Sequence, residues 1–122
     1  MKIQIYSDLH IEFAWFDLPK TDADLIILAG DTGVGKRGIE WAKLIEASVP
    51  ILYIHGNHEY YREAWPKLIE TNRALCEGTN IHFLENDELI FGDVRILTQL
   101  AAFSTKTYKK QPKTRYFHSE TV

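Results

Sequence analysis

The chain has 122 residues, 45% hydrophobic and 25% charged, with a formal net charge of −3. That is the size of one domain and an ordinary globular composition, and no apolar run approaches the ~18 residues of a membrane span. The polar start MKIQIYSDLHIEF lacks the apolar core of an export signal, which points to a cytoplasmic location; a single cysteine, Cys76, excludes an intrachain disulfide framework and a cysteine-rich zinc site.

Lys2–Tyr6 alternates and is rich in β-formers, so it reads as a strand. Asp24–Ala29 holds the unbroken run Leu25-Ile26-Ile27-Leu28, the pattern of a strand covered on both faces. Lys36–Ser48 places Ile39, Ala42 and Ile45 on one side, a helical spacing, and Trp41 reads as core packing. Ile51–Ile54 is a third strand, ending at Gly56. Pro66 fits the first turn of a helix over Lys67–Cys76 and divides it from Glu59–Trp65, with Gly78 as the stop. Ile81–Leu84, Glu88–Phe91 and Val94–Leu97 are short strands, the last two joined by a turn at Gly92–Asp93. Strands alternating with helices predict an α/β layer with a mostly parallel sheet. Ligands of such sheets bind beyond the carboxyl ends of the strands.

Those strand ends carry the chemistry. Asp8-Leu9-His10 follows the first strand, and side chains two apart in an extended segment point the same way, so both can face one ion. Gly30-Asp31 follows the second strand, where glycine allows a close turn and the carboxylate sits at the rim. Gly56-Asn57-His58-Glu59 follows the third, with an amide oxygen, an imidazole and a carboxylate. Each piece alone occurs in ordinary turns. Together, on one edge, they suit ions that take oxygen and imidazole ligands.

This series resembles the calcineurin-like metallophosphoesterase superfamily. It reads D-x-H at Asp8–His10, G-D at Gly30–Asp31 and G-N-H-E at Gly56–Glu59, with 19 residues between the first two clusters and 24 between the next two. The resemblance covers about residues 1–98. It implies half of an αββα sandwich, built as βαβαβ, and a two-metal hydrolase of phosphoester bonds in which a metal-bound hydroxide attacks phosphorus. Asp8 and His10 would bind one metal, Asp31 would bridge two, and Asn57 would bind the second. His58 would protonate the leaving oxygen, and Glu59 would orient His58. The cofactors implied are two divalent ions, Mn²⁺ first, with Fe, Zn, Co or Ni as the others. The partner implied is a phosphoester substrate.

The family's later histidine and its G-H-x-H cluster have no counterpart here. His82 alternates with apolar residues and reads as the outward face of a strand; His118 lies in the tail. Residues 1–103 hold nine basic and sixteen acidic side chains, whereas 104–122 hold five and one. Residues 1–98 are therefore expected to be the N-terminal half of the domain. Residues 99–122 are expected to be a basic, poorly ordered tail from a truncation or frame change around Leu100–Lys106. Activity is then expected to be impaired, and a catalytically inactive metal-binding fragment is the alternative. The acidic body argues against nucleic acid as a default partner.

Two further readings complete the sequence. Gly30–Arg37 approaches G-x-x-x-x-G-K-[ST], a phosphate-binding loop, but Arg37 stands where a hydroxyl should ligate Mg²⁺. Phe13, Trp15 and Phe16, just after the first motif, read as an apolar plug holding that loop, with the lining of a substrate pocket as the alternative.

Overall fold

The computed structural model describes residues 1–46 and 48–98, and the backbone of 114–117. Four strands, β1 (Ile3–Tyr6), β2 (Leu25–Ala29), β3 (Ile51–Ile54) and β4 (Ile81–Leu84), form an all-parallel sheet in the order β1-β2-β3-β4. The register is unbroken, with Ile5 opposite Ile27, Ile27 opposite Leu52, and Leu52 opposite His82. Helix α1 (Arg37–Ala42) links β2 to β3, and α2 (Trp65–Cys76) links β3 to β4. A sheet that adds strands in one direction, with right-handed crossovers, puts both helices on one face. That face is a core of Ile26, Leu28, Ile51, Tyr53, Ile81 and Phe83 under Ile39, Trp41, Ala42 and Cys76. Cys76 is buried there and its thiol is pushed up to about 11 by that burial, so it packs as an apolar residue.

The opposite face is also covered. Strands β5 (Glu88–Phe91) and β6 (Val94–Leu97) pair antiparallel, and Leu89 and Phe91 pack on Leu25, Ile27, Leu52 and Leu84. The backbone of Thr114–Phe117 forms β7, parallel to β5, on its other side. The rest of the expected basic tail lies outside the described residues. The result is helices, parallel sheet and second sheet in three layers, the mixed α/β fold that the strand pattern implies. Burial on both faces explains why Leu25–Leu28 is apolar without alternation. Among the described residues, no helix is long and apolar enough to cross a membrane.

Two local readings change. Helix α1 is six residues long rather than reaching Ser48. After Ala42 the N–H groups of Leu44 and Ile45 bond three residues back, to Trp41 and Ala42, and Pro50 disfavours helical geometry at Val49. The apolar plug reduces to Phe16, which stacks on Tyr6 at 6.0 Å and accepts the Trp41 indole N–H on its backbone oxygen. Phe13 and Trp15 are 79% and 61% exposed, so they do not plug the loop.

Candidate metal centre

The loops after β1, β2 and β3 meet at the carboxyl edge of the parallel sheet. The N–H groups of Asp8, His10 and Ile11 bond the carbonyls of Gly30, Asp31 and Thr32, which lays the first loop alongside the second. The second and third loops touch backbone to backbone. A Cβ on Gly30 would lie 3.1 Å from the Gly56 backbone, and one on Gly56 would lie 2.3 Å from Asp31 Oδ1. The glycines at the two strand ends are therefore what let Asp31 and Asn57 approach.

Asp8, His10 and Asp31 come together, each offering a ligand atom within 4.8 Å of the others'. His10 Nε2 lies 3.8 Å from Asp8 Oδ1. The reason differs from simple alternation. Strand β1 stops at Tyr6, and Asp8, His10 and Asp31 have φ of 55°, 47° and 53°. Three non-glycine residues in the left-handed region at one rim are uncommon, and such strain concentrates at functional sites. Asn57 completes the rim. With its amide nitrogen turned toward Asp31 it donates to both carboxylate oxygens at 3.1 Å; a cation on Asp31 would call for the opposite turn, oxygen forward. Two carboxylates, an imidazole and an amide oxygen fit a divalent ion of the Mn, Fe or Zn kind.

His58 opens a short 3-10 turn, His58–Tyr60, beside this group. Its N–H donates to Asp31 Oδ1 at 2.9 Å. Its ring packs edge-on against His10, with centroids 4.5 Å apart.

Glu59 faces the backbone of the neighbouring loops. It is fully buried and turns inward, accepting the N–H groups of Asp31 (3.1 Å), Thr32 (2.9 Å) and Gly56 (2.7 Å). Burial pushes its carboxyl up, against the pull of those N–H groups. It ties the second loop to the third, and no hydrogen bond joins it to the His58 ring among the described residues. The same bonds exclude a phosphate-binding loop at Gly30–Arg37. The N–H groups of Asp31, Thr32 and Gly35 all face Glu59 rather than an anion, the last through the Glu59 carbonyl.

The carboxylate beside His58 is Glu12, absent from the sequence expectation. Glu12 Oε1 is 3.1 Å from His10 Nδ1 and 3.5 Å from His58 Nδ1. Burial acts to raise its carboxyl, but its own backbone N–H and the two imidazoles outweigh that and hold it below the usual range. The available signal was the period of two in Asp8-Leu9-His10-Ile11-Glu12.

His55 was missed as well. It is buried under the third loop, bonded to Tyr60 Oη (2.9 Å) and to the Asn72 amide (2.7 Å), with Phe83 against its ring. Burial pushes it down to about 3, so it is neutral at pH 7. Unfolding frees an imidazole of ordinary pKa near 6.5, so its contribution to stability is fully present above pH 6.5 and is lost as pH falls toward 3. At pH 5 the loss is about 2 kcal/mol relative to pH 7. Denaturant unfolding of wild type and His55→Gln at pH 7 and pH 5 measures it. The wild type is expected to lose that much more than the variant, and parallel losses would contradict the assignment.

The fold and this rim together define an α/β protein with an edge of oxygens and imidazoles that could hold a metal ion. The family model for calcineurin-like phosphoesterases matches residues 1–118, and the chain belongs to that family. No curated protein and no solved structure matches it.

Proposed function

We propose that this protein hydrolyses phosphoester bonds with two divalent cations, Mn²⁺ being the first to try. The observation that carries the reading is the convergence of Asp8, His10 and Asp31 at the strand ends, with Asn57 and His58 against Asp31, in a member of this family. Asp8, His10 and Asp31 would hold the first cation; Asp31 and Asn57 would hold the second. Bound there, such ions polarise a phosphoryl oxygen and make a water nucleophilic near neutral pH.

The chain's own residues do the rest. His58 lines a cavity of about 710 Å³ together with Glu12, Phe13, Lys36, Arg37, Tyr61 and Arg62. Lys36, Arg37 and Arg62 outnumber Glu12 and Glu63 on its lining, a balance that favours an anionic substrate, and Phe13 and Tyr61 offer exposed rings to its organic part. His58, on the wall of that cavity, is placed to give a proton to the leaving oxygen.

The test is hydrolysis of p-nitrophenyl phosphate and bis-p-nitrophenyl phosphate with added Mn²⁺. Turnover that EDTA abolishes and His58→Ala lowers by about 10²–10⁴-fold supports the reading. Metal binding without turnover would mark the chain as a catalytically inactive metal binder instead.

A further inference from the structure

We infer that Glu12 is a positioning residue that fixes the tautomer of both site imidazoles at once. This rests on the reading of His10 as a metal ligand and His58 as a proton donor. One carboxylate oxygen faces two Nδ1 atoms, at 3.1 Å to His10 and 3.5 Å to His58. An ionised carboxylate only accepts, so both imidazoles must carry their hydrogen on Nδ1 to bond it. That leaves the lone pair of each neutral ring on Nε2. For His10 the freed Nε2 is the atom that points at Asp8, 3.8 Å away. A ligating imidazole commonly donates its second N–H to such a carboxylate, which orients the ring and raises its basicity.

For His58 the same bond holds the ring by Nδ1 at the wall of the cavity and leaves Nε2 to take up a proton, which the doubly protonated ring would then give to the leaving oxygen. The Glu12 side chain is only 9% exposed. Its Oε2 is buried with no hydrogen-bond partner among the described residues. No other side chain therefore competes for this carboxylate, and water has little access to loosen it. Rings 4.5 Å apart cannot turn independently, so a single acidic residue coordinates ligand and acid.

Glu12 differs in this from Glu59, whose oxygens accept the backbone N–H groups of Asp31, Thr32 and Gly56. The Glu12–His10 contact also accounts for the left-handed backbone at His10. A turn closed by the Phe13 N–H on the His10 carbonyl brings Glu12 back beneath the ring two residues earlier.

Nitrogen-15 NMR of the metal-free protein tests this without any turnover. His10 and His58 are both expected as Nδ1–H tautomers in the wild type. In Glu12→Gln, which keeps size and shape, a mixture with Nε2–H is expected. Mn²⁺ affinity should fall by about 10–100-fold. In turnover, kcat should fall with KM nearly unchanged, and the melting temperature should stay close to wild type. An Nε2–H tautomer at His10 or His58 in the wild type overturns the inference, with no variant needed. So does Glu12→Gln with unchanged tautomers and unchanged Mn²⁺ affinity. Correct tautomers in a protein that never turns over would leave the inference standing and remove the proposed activity.

Discussion

Asp31→Asn is expected to lower phosphoester turnover by about 10³-fold and to weaken Mn²⁺ binding sharply, with little change in melting temperature. Asp31 is the point where the loops converge. Its carboxylate groups with Asp8 and His10, lies against the Asn57 amide, and accepts the His58 N–H. Removing its charge therefore affects a ligand of both proposed cations and the anchor of the proposed acid together. Asparagine is the informative replacement. It tolerates the left-handed φ of 53° and keeps an oxygen for the His58 N–H, so the backbone has no reason to move. Alanine there would add backbone strain of about 1–2 kcal/mol and blur the result. Calorimetric titration of Mn²⁺ beside the kinetics separates the two effects. Unchanged Mn²⁺ affinity in Asp31→Asn would remove Asp31 from the metal centre.

Much of this was readable from the sequence because it depends on local pattern. Leu25–Ala29, Ile51–Ile54, Ile81–Leu84, Glu88–Phe91 and Val94–Leu97 are short apolar runs between turn residues, and each is a strand within a residue of its expected bounds. The order of those strands places their carboxyl ends, and so the polar loops, on one edge. What stayed hidden depends on backbone path. Alternation in Asp8-Leu9-His10 rightly brings the two side chains together, but through left-handed residues rather than extended ones. Glu12 sits in a run with apolar neighbours, and nothing local says that His58, 46 residues later, arrives beside it. His55 occupies the end of a buried strand run, where its neutral state follows only from what packs on it. Helix α1 ended early because the chain must turn into Pro50, a constraint weaker on paper than the periodicity of Ile39, Ala42 and Ile45.

Glu59 carries the second large effect, and it decides between two roles. As the residue after His58, it invites the reading of an orienting acid, for which removal would reduce turnover and leave the fold intact. The structure gives it three backbone N–H groups instead, from Asp31, Thr32 and Gly56. In Glu59→Ala those three donors lose their acceptor beneath the loops. Each unsatisfied donor costs about 1–3 kcal/mol, so the total loss is on the order of 3–5 kcal/mol after relaxation. That is a large share of the ~5–15 kcal/mol that holds a domain of this kind together. Glu59→Gln should fall between. Its one oxygen can still serve Asp31 and Gly56, but its NH₂ would face the Thr32 N–H, donor against donor. Urea unfolding of the three proteins in EDTA, where no cation contributes, is the direct measurement. The expected order of stability is wild type, then Gln, then Ala. Equal stabilities with turnover lost in both variants would return Glu59 to the role of orienting His58. The ordering expected here makes it instead the clamp that joins the Gly30–Asp31 and Gly56–Asn57 loops, so that the ligands on each can meet.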